Sequence, residues 1–549
     1  MLSFLASPWA RVLVLGLTLA ALLPGALRLP PIDRDESRYA QATKQMLETK
    51  DFIRIRFQNE PRNKKPAGIH WLQAAAVSLI AQDAKTIWVY RLPSILGVLL
   101  AVGLTMAIAR RLYDPMTATL AGGLVGAATL SQIMGQQATT DGALLASAIA
   151  AQGALALVYV RQRRGELVRP GLAFAFWTAL GVAILIKGPV ILAISALSAV
   201  TLSVADKDWR WLRLLRPLLG IPLMLAIASP WFIAVQLATD GGFVSDAVRN
   251  DLLPKLIGGQ ESHGAPPGYY LALVSVTFLP ASLVLWPALK EAWSDRLDAP
   301  TRALLAWAIP AWLLFEAVPT KLPHYVLPLF PALAMLAARL LIRAADGETT
   351  ALARPWAIVA ALPWLLASLA LAAAPVVVGY AIDQRLDTTA LVLALAAMAA
   401  TLIAATAAAN RRWLGATVIS AVATWTILTT TFGHILPRLD AVWLGREAAE
   451  ILALKTPGTA AADIAASGYA EPSMVFAVGT PIRLVDAGLA GRFLAEAPWR
   501  LALISREEQP AFLAALAATG VRVEALDTLA GFNYSKGRWT TLTLYRRHQ

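Results

Sequence analysis

A few carboxylates and a scatter of cations beside apolar segments are the residues of this chain whose types and spacing could do chemistry. Asp35 and Glu36 open a polar stretch after the first apolar run, Arg38 and Tyr39 follow within a helical turn, and Lys65 lies further along it. Arg91 starts the next apolar run, and Asp141 starts another in QQATTDGALLA. Lys187 stands in LIKGPV, and Lys321, His324 and Tyr325 stand in PTKLPHYVLP. Residues 239–268 add Arg249, Lys255, Glu261 and His263. An ionisable group beside an apolar span is costly unless solvated or paired, so each is a candidate functional residue. The plain alternative for any one of them is a helix-end charge that simply reaches the interface. Together they suit group transfer from a phosphate-linked substrate. Cations would hold the phosphate and offset the charge that grows as it leaves, and a carboxylate would orient or deprotonate the incoming nucleophile. The chain has no GxGxxG and no GxxxxGK(S/T), so an activated lipid phosphate is a more natural donor than a nucleotide sugar. With no Cys and five His, neither a thiolate nucleophile nor a multi-His metal centre is expected. No cofactor is expected, with a divalent metal left open.

The elements that must position these groups are membrane helices. Of 549 residues, 57% are hydrophobic and 15% charged, against roughly 25% charged in soluble domains. Apolar runs of membrane-crossing length predict thirteen spans: 10–29, 88–109, 115–132, 141–160, 171–187, 189–205, 214–237, 269–289, 303–318, 323–342, 355–378, 389–409 and 413–433. The net charge of +13 sits mostly in short loops between them, which is the pattern of membrane topology and not of nucleic-acid binding. Arg110 and Arg111, Arg161 to Arg169, Lys207 to Arg216, Lys290 to Arg302, Arg343 and Arg354, and Arg411 and Arg412 fall in alternate loops. The positive-inside rule then puts the N-terminus in the cytoplasm and residues 434–549 outside, with the N-terminal apolar run retained as the first span. The first outer loop, 30–87, is basic as well, and ESRYAQATKQMLE and GIHWLQAAAVSLIAQ within it read as interfacial helices. In the tail, REAAEILALK, GLAGRFLAEA and EEQPAFLAALAATG read as helices. IRLVDA, RLALISR, VRVEALDTLAGF and WTTLTLYRR read as strands, which implies a small α/β domain. The expected architecture is an α-helical polytopic membrane domain over 1–433 and an α/β domain over 434–549.

The stretch 33–74 resembles the first outer loop of bacterial polyprenyl-phosphate-sugar glycosyltransferases. These form the GT-C class that includes the lipid A aminoarabinose transferases and the protein O-mannosyltransferases. The D-E-x-R-Y-A box of that class is matched by Asp35-Glu36-Ser37-Arg38-Tyr39-Ala40, its G-D-W-like turn by Lys50-Asp51-Phe52, and its K-P-P-L-x-x-W box by Lys65-Pro66-Ala67-Gly68 with Trp71. Arg91-Leu92-Pro93-Ser94, Thr140-Asp141, Lys187-Gly188-Pro189, Lys321 to Tyr325 and Asn533 to Arg538 are shorter echoes. Lys64 and Ala67 depart from the pattern, which often has an acid before the box and a second proline inside it. The resemblance implies Asp35 as catalytic carboxylate, Asp141 as a second site acid, and Arg38, Lys65, Lys187 and Lys321 as donor-phosphate ligands. Glu36, Tyr39, Arg91, His263, His324 and Tyr325 complete the candidates. It further implies a one-step inverting transfer from a polyprenyl-phosphate-linked sugar to a lipid or glycan acceptor, such as lipid A, in a bacterial inner membrane. A protein O-mannosyltransferase is the alternative enzyme. A lipid or sugar transporter is the alternative of another class, disfavoured by charges gathered at one face and by the lack of a clear repeat.

Overall fold

The computed structural model describes residues 2–81, 84–254 and 264–548, without the side chains of 250–252. Each expected span falls on helical residues. Among the described residues nine helices are long and apolar enough to cross a membrane, or ten if one bent pair is a single span. Helix Val190–Asp206 is short for a span, at 17 residues. Expected span 269–289 is broken into helix Tyr269–Thr277, a 3-10 turn Ala281–Leu283 and helix Leu285–Ser294, because Pro280 lies at its centre and has no N–H to donate. Helix Ala299–Ala317 carries Arg302, Pro310 and Glu316, which dilute its apolar character. The count of thirteen is therefore not reached on length and apolarity.

The bent pair is Pro115–Ala127 and Thr129–Gly135, which meet at 61°. The Thr129 N–H leaves the helical ladder and donates to the Leu279 carbonyl at 3.2 Å. This bend turns Met134 and Gln137 toward the site described below. Helix Thr140–Arg163 is the axis of the bundle and is buried over nearly its whole length. It packs on helix Ile87–Leu112 at a very close approach: a Cβ on Gly97 would stand 2.3 Å from the Gly142 carbonyl oxygen.

The first loop folds on top of this bundle as helix Asp35–Thr49, a short hairpin of β1 (Arg56–Phe57) and β2 (Glu60–Pro61), and helix Gly68–Ile80. Gly68 seats the second helix on the end of helix Pro170–Lys187, since a Cβ there would lie 2.5 Å from the Leu185 carbonyl oxygen. The absence of a side chain at Gly68 permits that approach.

The tail forms a five-stranded sheet ordered β4 (Arg483–Leu484), β3 (Ile464–Ser467), β5 (Leu501–Ser505), β7 (Arg538–Arg547), β6 (Val523–Asn533). The β4, β3 and β5 strands are parallel, and the long β6–β7 hairpin is antiparallel at one edge. This sheet sits on the first loop. Gln41 Nε2 donates to Thr480 Oγ1 at 2.8 Å, Lys44 Nζ to the Phe476 carbonyl at 3.1 Å and Gln58 Nε2 to the Ile482 carbonyl at 2.7 Å. At the far end of the bundle, Arg163, Tyr159 and Arg302 gather around Asp206, while Arg339 pairs with Asp114 at 3.3 Å and Arg343 with Asp295 at 2.5 Å. Asp141 and Arg163 stand at opposite ends of one 24-residue helix, roughly 35 Å apart along its axis.

Candidate active site

A cavity of about 230 Å³ opens between the first loop and the helix ends beneath it. Five pieces of chain build it. The start of helix Asp35–Thr49 supplies Arg34, Asp35, Arg38 and Tyr39, and the loop before helix Gly68–Ile80 supplies Arg62, Lys64 and Lys65. The top of helix Thr140–Arg163 and the turn before it give Gln137, Thr139, Thr140 and Asp141; Lys187, Thr320, Leu322, His324 and Tyr325 close the far wall.

Helix ends place the two innermost charges favourably. Asp141 lies in the first turn of its helix and Lys187 in the last turn of its own, so each meets the partial charge of opposite sign. The pair is closed at 2.5 Å, Thr140 Oγ1 donates to the same carboxylate at 3.3 Å, and His324 Nε2 stands 3.8 Å away. Lys187 Nζ also lies over the Tyr325 ring, 5.4 Å from its centre. Asp35 is different: its side chain is 59% exposed, and Arg62 approaches at 3.9 Å. Arg62 in turn stacks on Tyr39 at 5.3 Å. Arginines 34, 38 and 62 with lysines 64, 65 and 187 face two carboxylates, so these groups alone carry four net positive charges. Such an excess around a small space favours an anion there.

Asp35 is delivered by an unusual turn. Arg34, immediately before it, has φ 64° and ψ −115°, the first central position of a type II′ turn, where glycine is preferred. A non-glycine residue there costs about 1–3 kcal/mol unless its surroundings impose the conformation. Asp33, on the other side, is buried against the tail domain, accepting from Ser473 N at 3.1 Å and Tyr469 Oη at 3.2 Å. Burial, reinforced by the nearby Glu471 carboxylate, pushes the Asp33 carboxyl up to about 6, against the opposing effect of the Ser473 hydrogen bond. The hydroxyls of Tyr469 and Tyr534 are likewise pushed up by burial and by Asp33.

Three sequence candidates lie elsewhere. Glu36 and Arg91 are buried and bonded to each other, Nε to Oε1 and Nη2 to Oε2, both at 2.8 Å. The other guanidinium donors reach the carbonyls of Ala26, Leu29 and Pro30, and Glu36 also accepts from Ile32 N and Ala138 N. Every Arg91 N–H is thereby used to tie the end of the first span to the first loop. Lys321 is buried behind the cavity wall, its ammonium donating to the carbonyls of Ala265 at 3.0 Å and Val318 at 2.5 Å. His263, with Lys255 and Glu261, lies outside the described residues. Arg34 and Arg62, marked in the sequence only as two among the many basic residues of the first outer loop, also line the cavity. Among the described residues no group of three or more His, Cys, Asp or Glu is placed to hold a metal.

A family model described as dolichyl-phosphate-mannose-protein mannosyltransferase matches residues 64–233. The undecaprenyl phosphate-alpha-4-amino-4-deoxy-L-arabinose arabinosyl transferase of Enterobacter sp. (strain 638) is 28% identical over 336 residues, which span 60% of this chain and 59% of that relative. The crystal structure of ArnT from Cupriavidus metallidurans in the apo state superposes with a TM-score of 0.74 at 22% identity, over 97% of both chains. The same protein bound to undecaprenyl phosphate gives 0.71 at 21% identity, again over 97% of both chains. An archaeal oligosaccharyltransferase, from Archaeoglobus fulgidus, gives 0.54 at 12% identity over 94% of this chain and 69% of that one. The chain has the GT-C fold. In this fold the cavity lies where the first loop meets the membrane helices, beneath the tail domain.

Proposed function

We propose that this protein is an inverting membrane glycosyltransferase. It moves a monosaccharide from a polyprenyl-phosphate donor to an envelope acceptor, lipid A or another lipid-linked glycan, in the manner of the aminoarabinose transferases named above. The observation that carries the reading is the cavity itself: six cations and one exposed carboxylate at the edge of apolar helices. The donor phosphodiester carries one negative charge, and the departing polyprenyl phosphate gains a second. Interactions that strengthen as that charge grows lower the barrier. Lys65, Arg38 and Lys187 serve this role, Lys187 being held in place by Asp141. The acceptor oxygen bonds to the anomeric carbon from the face opposite the phosphate as the carbon–oxygen bond to phosphate breaks. Asp35 orients that oxygen when the acceptor is a phosphate, already anionic. With a hydroxyl acceptor Asp35 takes its proton. The mannosyltransferase family model supports the second acceptor type, a Ser or Thr hydroxyl, as the alternative. The membrane is a bacterial inner membrane, with the basic loops around Arg163, Arg302 and Arg343 cytoplasmic and the tail domain periplasmic.

The test is transfer in vitro from a polyprenyl-phosphate sugar by the purified full chain, with Asp35→Asn alongside. Asn keeps a polar residue in the first helical turn but removes the charge. Turnover should fall at least ~100-fold, within the span of general-base loss, while thermal stability stays put. Near-normal turnover in the variant would move the catalytic role to Asp141, and no transfer by the wild type would overturn the reaction.

A further inference from the structure

Resting on that reading, we infer that the tail domain is part of the catalytic apparatus, with Tyr534 a positioning residue that holds the backbone before Asp35. The tip of the β6–β7 hairpin reaches down to the first loop. There the Tyr534 hydroxyl accepts from Asp33 N at 2.6 Å, and the Ser535 carbonyl accepts from the Arg34 guanidinium. From the other side, Ser473 N and Tyr469 Oη donate to the Asp33 carboxylate. Both donors follow the carboxyl end of β3, the edge at which open α/β sheets take their ligands. In this chain that edge takes Asp33 of the membrane domain.

Asp35 therefore stands between two fixed points. On its C-terminal side Glu36 is locked to Arg91, and on its N-terminal side Asp33 is locked to the tail domain. Arg34 bridges them with φ 64°, a conformation that persists in a non-glycine residue when its surroundings over-determine it. The contact of Asp35 inside the cavity, Arg62 at 3.9 Å, is too long to set its direction. Without the Tyr534 contact, Arg34 relaxes toward negative φ and the carboxylate turns away from the acceptor.

The test is a double-variant cycle on the full chain, read by transfer kinetics and by hydrogen exchange of the backbone. Tyr534→Phe keeps the ring beside Trp443 and removes the hydroxyl. The kcat should fall about tenfold with the donor KM unchanged, as small misplacements of a catalytic group do. Exchange should rise at residues 33–35 and stay as it was in β5 and β7, which reports that the tail domain remains folded. Arg34→Gly adopts the turn without strain, so in that background the same Tyr534→Phe change should have little further effect on kcat. An equal fall in both backgrounds, or no fall when Tyr534→Phe is made in the wild type, overturns the proposal. If the wild type transfers no sugar, the reaction reading fails on its own. Exchange then decides the clamp: a rise confined to residues 33–35 supports it and unchanged exchange overturns it.

Discussion

Asp35 and Glu36 are adjacent in the chain and meet opposite fates. Glu36 is turned into the protein, where Arg91 and two backbone amides satisfy it and the charges balance. Asp35 is turned into a cavity lined by six arginines and lysines and by only one other carboxylate, Asp141. The first cluster is closed, with every donor used internally. The second gathers six arginines and lysines against two carboxylates around an open space, and that excess separates a structural ion pair from a candidate ligand site. Both clusters contain arginine and carboxylate at a membrane edge, so residue type does not distinguish them. The balance of charge does.

The largest effect that would break this comparison is expected at the closed cluster. Arg91→Ala strands the Glu36 carboxylate and three backbone carbonyls in a buried site, and removing one partner of such a pair costs about 3–5 kcal/mol. Thermal unfolding of the purified protein in detergent should show that loss directly, as a much lower midpoint or as failure to accumulate. Unchanged stability with lost activity would instead make Arg91 a site residue and erase the distinction.

At the open cluster the expected response is the reverse, with activity lost and stability kept. Lys65→Ala should weaken use of the donor by ten- to hundredfold, about 1.5–3 kcal/mol for one charged contact to phosphate. Lys207→Ala, at the far end of the bundle, is the matched control and should change little. Donor titrations of transfer rate decide it, and equal small effects from both would remove the case for a phosphate site beside Lys65.

Much of this was legible in the sequence, and the gaps have physical causes. Spans announce themselves because apolar runs survive any error in boundary, and helices Asp35–Thr49 and Gly68–Ile80 follow the periodicity of their segments. The central strand β3 was not foreseen: Ile-Ala-Ala-Ser is buried at all four positions, so it shows no alternation, and alanine gives no strand preference. In the site, Asp35, Asp141, Arg38, Lys65, Lys187 and His324 stood out as ionisable groups beside spans or in family boxes. Successive helical residues diverge by about 100°, so a box read as one unit splits, and Glu36 points away from Asp35. Lys321 was misplaced for a similar reason, since its neighbours Thr320 and Leu322 face the cavity and it does not. Arg34 and Arg62 depend on a left-handed turn and on the first-loop hairpin, neither of which has a periodic signature.

The smallest expected effect lies at Asp33, where the tail domain grips the first loop, and it sharpens the comparison by offering a third kind of carboxylate: one buried without a cation. Its carboxyl titrates near 6 in the folded protein against 3.8 for an ordinary aspartate. A folded pKa raised in this way means that the neutral form is the better fit. Its contribution to stability is fully present below about pH 4, is lost as pH rises toward 6, and stays lost above that. The span between the two values corresponds to up to about 3 kcal/mol for burying the charge. Asp33→Asn removes the charge at every pH and keeps an oxygen to accept from Ser473 N, with a weaker hydrogen bond offsetting part of the gain. The variant should therefore be more stable than wild type by about 1 kcal/mol at pH 7.5 and indistinguishable from it near pH 4. Midpoints of thermal unfolding across that range measure it. A variant less stable at pH 7.5 would mean that the charge itself holds the tail domain to the first loop, which would place Asp33 with Glu36 among the satisfied pairs.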